Sequence, residues 1–189
     1  MKAKSLKILF VSSECAPYAK VGGLGDVTAA LPKILRRLGH DVRVVIPLYN
    51  FIDRARYGIH FEGPCSVPMG NNEVNGIGLH AASLDGDVPV WFVEYDRYYA
   101  RAGIYDEPRG EYPDNAYRFA LLSKAATQVC KDKNFIPDII HAHDWPAALV
   151  PLFLKTWDHV KSPLADTASV LTIHNIAYQG VYPGNVFPY

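Results

Sequence analysis

Residues 7–47 hold a complete strand–turn–helix–strand pattern, and nothing else in the chain restricts its fold as strongly. Ile8-Leu9-Phe10-Val11 is a short, continuous apolar run, the mark of a strand covered on both faces, expected over Lys7–Ser12. Glycines follow at Gly22, Gly23 and Gly25. Leu24, Val27, Leu31, Leu35 and Leu38 then recur at three- and four-residue intervals, an amphipathic helix that Gly39 ends. Asp41–Pro47 carries a second apolar run, Val42-Arg43-Val44-Val45-Ile46. Two buried strands joined through a helix are expected to lie parallel, with a right-handed connection.

The same alternation returns later. Helical spacing covers Tyr117–Cys130, a strand is expected over Ile139–His143, a helix from about Pro146 to Trp157, and a last strand over Ser169–Ile173. Between the two halves, Ile59–Phe61, Ile77–Leu84 and Val88–Tyr95 read as strands of a hairpin or meander. Tyr98–Pro113 is rich in Tyr, Arg and Gly without periodicity and reads as an exposed functional loop. The whole pattern predicts an α/β fold, a doubly wound and mostly parallel sheet. Such sheets bind ligands outside the carboxyl ends of their strands. Glu14–Asp26, His143–Trp145 and His174–Gly180 each follow a strand, so they are expected to share one rim.

Composition narrows the function. Lys plus Arg and Asp plus Glu both number 19, and no basic stripe runs along any segment, which argues against nucleic acid as a partner. No run is long enough to span a membrane. The basic start, Met1 to Lys7, precedes only four consecutive apolar residues before Ser12-Ser13-Glu14, too few for a signal peptide. Cys15, Cys65 and Cys130 have no metal or redox spacing, and a sparse odd set suits the cytoplasm.

Three motifs carry chemistry. In Lys20-Val21-Gly22-Gly23-Leu24-Gly25-Asp26, glycines let the backbone approach a ligand, and helix N-terminal N–H groups attract phosphate. A Walker loop is excluded because no Gly-Lys-Ser/Thr follows, and the dinucleotide pattern fails at Thr28 and Pro47. The bland alternative is a tight turn with a solvated lysine. His141-Ala142-His143-Asp144-Trp145 ends a strand and opens a helix. Its two histidines share a strand face, but no third ligand stands nearby, so no metal is expected. Asp144 is either an ordinary helix N-cap or a carboxylate for sugar hydroxyls, and spacing leaves both open. Thr172-Ile173-His174-Asn175, with Ala177-Tyr178-Gln179-Gly180, offers an aromatic face beside neutral donors and acceptors, a mixture suited to a sugar.

Together with Tyr112-Pro113-Asp114-Asn115 and Arg118-Phe119, these motifs resemble the bacterial glycogen synthase and plant starch synthase family, in that family's order, from about Lys7 onward. The resemblance implies the Rossmann-like N-terminal domain of a GT-B glycosyltransferase. It implies transfer of glucose from ADP-glucose to the non-reducing end of an α-1,4-glucan, with retention and without a metal or other cofactor. By resemblance His174 and Asp144 are catalytic, and Lys20, Gly22, Gly23, Asp26, Tyr105 and Asn175 bind substrate. The family's C-terminal domain, with its pyrophosphate-binding Arg and Lys, has no counterpart in residues 1–189, so this stretch is expected to be an incomplete N-terminal domain, inactive alone. The alternatives are a related GT-B transferase using another nucleotide sugar, or a non-catalytic glucan-binding or regulatory module.

Overall fold

The computed structural model describes residues 4–186, apart from the side chain of Asn185; Met1–Ala3 of the basic start and Phe187–Tyr189 lie outside the described residues. Strand β1 (Lys7–Val11), helix α1 (Gly23–Arg37) and strand β2 (Asp41–Pro47) form the expected first unit, with the strands parallel. Leu9, Phe10, Val11, Val44, Val45 and Ile46 are all fully buried, as a strand covered on both faces requires. Past the end of α1, Gly39 takes φ +95°, a left-handed conformation that glycine adopts without strain.

The meander is antiparallel. Its strands are β3 (His60–Pro68), β4 (Val74–Leu84) and β5 (Val88–Glu94), and β5 extends the sheet by pairing parallel to β2. β3 runs well past the Ile59–Phe61 expected from sequence. Gly63 and Pro64 argue against a strand by propensity, but β3 is an edge, where a missing N–H costs no ladder bond. The register shifts between Phe61 and Gly63, and Gly63 absorbs the irregularity at φ +125°.

Residues 98–113 are largely exposed, as expected, but they are not without structure. They contain the end of α2 (Asp96–Tyr99) and the paired two-residue strands β6 (Asp106–Glu107) and β7 (Gly110–Glu111), and they bury Tyr99, Ile104 and Tyr112. Helix α3 (Asn115–Asp132) follows, then β8 (Ile139–His143) and β9 (Ala168–Thr172), which pair parallel. The single helix expected over 146–157 is divided into α4 (Asp144–Ala147) and α5 (Leu149–Thr156). Pro151 has no N–H to give the carbonyl of Ala147, so that bond of the ladder is missing at the break.

The sheet order is β3-β4-β5-β2-β1-β8-β9. The chain winds outward from β1 in one direction and returns past it to β8 in the other, so right-handed crossovers place α1 and α3 on opposite faces. The order reverses between β1 and β8, and a crevice opens there at the carboxyl ends. Leu121, Leu122, Ala125 and Val129 of α3 join the strand side chains in one apolar core. Among the described residues no helix is long and apolar enough to cross a membrane.

Candidate active site

A cleft of about 560 Å³ occupies the reversal point. Three segments that follow parallel strands line it: Glu14 with residues 21–24 after β1, residues 144–146 after β8, and His174, Asn175 and Tyr178 after β9. Tyr105, Asp106 and Glu111 close a further side.

Glu14 organises the glycine turn. It is 3% exposed, and its Oε2 accepts the N–H groups of Val21 at 2.7 Å and Gly22 at 3.0 Å. The Tyr105 hydroxyl donates to Oε1 at 2.7 Å, and Ser13 Oγ stands 2.7 Å from the same hydroxyl. Burial, then the charge of Glu14, pushes the Tyr105 phenol well above its ordinary pKa, so it remains a donor. Glu14 therefore occupies the place of a bound anion at the entry to the turn. Beyond it, no side chain caps α1. A Cβ added at Gly22 or Gly23 would meet nothing within 4 Å, so no packing demand keeps these positions glycine, and the space beside them is the cleft itself. The N-terminus of α1 is thus open to an incoming anion.

Lys20 and Asp26 sit outside the lining. They pair with each other at 2.7 Å with side chains 47% and 59% exposed, a geometry worth about 0–1 kcal/mol.

The β8–β9 side is built around Asp144. It opens α4 with His143 as its cap, so Asp144 is not the N-cap that its neighbours Trp145-Pro146 allow. Its Oδ1 instead accepts the N–H of His174 at 2.7 Å and that of Asn175 at 3.4 Å, tying the segment after β9 to the end of β8. Asp144 does this at φ +55°, a region Asp visits more readily than most residues. Asn175 Oδ1 accepts from Ala177 N–H at 3.0 Å and shapes the following turn. Gly180, at φ +62°, passes so close to Trp145 that an added Cβ would lie 2.7 Å from the indole ring. Glycine is required there.

The histidines engage one another. His143 Nδ1 is 2.9 Å from His174 Nε2, and His141 Nε2 is 2.6 Å from Thr172 Oγ1. Burial, with His141 and His174 beside it, pushes the His143 imidazole down to about 3, and burial lowers His141 as well. Among the described residues no group of three His, Cys, Asp or Glu side chains is arranged to hold a metal ion.

Of the residues singled out from sequence, Gly22, Gly23, Tyr105, Asp144, His174 and Asn175 line the cleft, whereas Lys20 and Asp26 do not. Sequence reasoning missed Glu14, Asp106 and Glu111. Only Glu14 left a signal, as the first charged residue after a buried strand. The lining carries four carboxylates, from Glu14, Asp106, Glu111 and Asp144, and no Lys or Arg. Acceptors beside the aromatic rings of Tyr105, Trp145 and Tyr178 suit a neutral polyhydroxyl ligand far better than a polyanion.

Known proteins resemble this chain in sequence and in fold. A family model described as the starch synthase catalytic domain matches residues 7–189. Glycogen synthase 1 of Geobacter sulfurreducens is 48% identical over 95% of the chain, and glycogen synthase of Geotalea uraniireducens is 45% identical over 94%. The chain spans 36% of the length of each. The structure of the catalytic domain of starch synthase IV from Arabidopsis thaliana, bound to ADP and acarbose, superposes with a TM-score of 0.82 at 31% identity, over 94% of this chain and 35% of that one. Matched over nearly its whole length by the family model, the chain belongs to the starch synthase catalytic domain family.

Proposed function

We propose that this chain forms the sugar-facing wall of a GT-B active site that transfers glucose from ADP-glucose to the non-reducing end of an α-1,4-glucan, with retention. The observation that carries the reading is the lining of the cleft: carboxylates, an imidazole, an amide and aromatic rings, with no cation. The ADP and acarbose bound to the starch synthase IV domain represent the two ligand classes such a site takes, a nucleotide and an α-glucan-like oligosaccharide. Cations for the pyrophosphate then belong to the length that the relatives carry and this chain does not span. Here the open end of α1 contributes the backbone N–H of Gly23, that of Gly22 being held by Glu14, and Lys20, released from Asp26, adds a charge nearby. His174 and Asp144 serve the transferring glucose in its oxocarbenium-like state, and Tyr105 and Asn175 border the sugar. No metal or organic cofactor takes part in this reading. Three separate buried thiols fit a cytoplasmic enzyme.

The test joins this chain to the remainder of the Geobacter sulfurreducens glycogen synthase 1 and follows glucose incorporation into glycogen. The completed enzyme should use ADP-glucose, and the 189-residue chain alone should show no turnover, since each missing transition-state donor costs roughly 10²–10³-fold. In the completed enzyme His174→Ala should lower kcat by about 10²-fold or more while ADP still binds. Glucan binding without turnover in the completed enzyme would favour the non-catalytic module. Loss of activity with chelator and rescue by a divalent ion would replace the metal-free reading.

A further inference from the structure

Directly behind the cleft histidine lies a second one that the proposed chemistry leaves without a role. His143, the last residue of β8, is fully buried. Its ring stacks on Phe10, with centroids 5.0 Å apart and planes 22° apart, and lies 4.1 Å from the ring of His141. Its Nδ1 shares one proton with His174 Nε2 across 2.9 Å, and the two rings are nearly coplanar in tilt, 13° apart. Its Nε2 is buried and has no hydrogen-bond partner among the described residues.

That orphaned atom decides which ring supplies the shared proton. Burial keeps the His143 imidazole neutral at physiological pH, so it holds a single proton. With that proton on Nε2, a buried N–H would face no acceptor, and His174 would have to donate across the shared contact. With it on Nδ1, the only unmet atom is a lone pair, and His143 donates. Among buried backbone groups an orphaned N–H is the rarer of the two defects, and we apply the same ordering to the ring. A histidine whose one nitrogen accepts a hydrogen bond must carry its own proton on the other.

We propose that His143 is a positioning residue that donates from Nδ1 to His174 Nε2 and holds His174 as the Nδ1–H tautomer. His174 then presents a hydrogen-bond donor to the cleft and recognises an oxygen lone pair on a sugar hydroxyl. The tautomer follows from the geometry of the two rings alone; naming the sugar as ligand rests on the function proposed above. Two backbone N–H bonds to Asp144 fix the main chain of His174 and its neighbour, and His143 fixes the imidazole proton.

Long-range proton–nitrogen correlation spectra of the nitrogen-labelled chain test this at pH about 8, where an ordinary imidazole, near 6.5, is neutral. His174, assigned by the signal lost in His174→Gln, should show a protonated Nδ1 and an unprotonated Nε2. In His143→Leu the two His174 nitrogens should move toward an average of both tautomers. His143→Asn, whose side-chain N–H falls near the place of the Nδ1 proton, should restore the single pattern. A wild-type His174 protonated on Nε2 overturns the proposal, as does an unchanged His174 pattern in His143→Leu. If His143→Leu does not fold, the wild-type and His143→Asn spectra decide alone. Adding maltotriose separates the two layers: shifted His174 signals support the sugar reading, and unmoved ones refute it while the tautomer stands.

Discussion

Two segments flank the cleft, and they are held in opposite ways. Residues 98–114 are tied down by buried polar groups. Arg118, fully buried, donates to the carbonyls of Tyr98 at 2.7 Å and Ile104 at 2.8 Å and to Asn115 Oδ1 at 2.5 Å. Asn115 in turn donates to the Tyr105 carbonyl at 2.8 Å, and Tyr99 donates to the Arg118 carbonyl at 2.7 Å. Residues 173–183 have a single tie to a buried side chain, from His174 to His143. The Asp144 carboxylate and the close approach of Gly180 to Trp145 otherwise hold them, and they leave Ile176 68% and Val181 84% exposed. One wall of the cleft is therefore preorganised by the core, and the other hangs from its neighbour's rim. The contrast teaches that an irregular segment without periodicity is rigid wherever its carbonyls find buried donors.

Removing the Arg118 anchor should have the largest effect. Arg118→Ala strands three buried acceptors, each worth about 1–3 kcal/mol when left unmet, so a loss on the order of 3 kcal/mol or more is expected in urea denaturation. Tyr105 should be released with it. A loss below about 1 kcal/mol would erase the contrast between the two walls.

Gly180→Ala comes next. The alanine must adopt φ +62° and push the Trp145 ring aside, a cost of about 1–3 kcal/mol. Tryptophan fluorescence should shift as the indole moves. An unchanged spectrum together with an unchanged denaturation midpoint would place the strain elsewhere.

Smallest in global stability is the Asp144 tie. Asp144→Gly tolerates φ +55° but offers no acceptor, whereas Asp144→Asn keeps both the conformation and an oxygen. In hydrogen exchange, the amides of His174 and Asn175 should lose protection in the glycine variant and retain it in the asparagine one. The denaturation midpoint should move by about 1 kcal/mol or less in either. Equal protection in both variants would mean that something other than the carboxylate holds this wall.

Much of the fold is legible without coordinates, because the evidence for it is local. An apolar run, a glycine turn and a three-to-four-residue leucine repeat each lie within one element, and burial on both faces of β1 and β2 follows from their continuous apolar runs. Those features determined the parallel βα units, and the reversal of strand order at the carboxyl ends then put Gly22, Asp144 and His174 on one rim. Where local signals conflicted with position, the prediction failed: β3 tolerates Gly63 and Pro64 only because it is an edge, and nothing within the segment says so.

The site's inner workings belong to tertiary structure. Glu14 reaches Tyr105 across 91 positions, and His143 reaches His174 across 31. Arg118 reads in sequence as one more charge on a helix, and only the fold buries it beneath the carbonyls of another segment. A single chain records which residues are polar, not which distant atoms will be brought within 3 Å of them. Hydrogen bonding is short-ranged and directional, so partnership is settled only when packing has set the backbone.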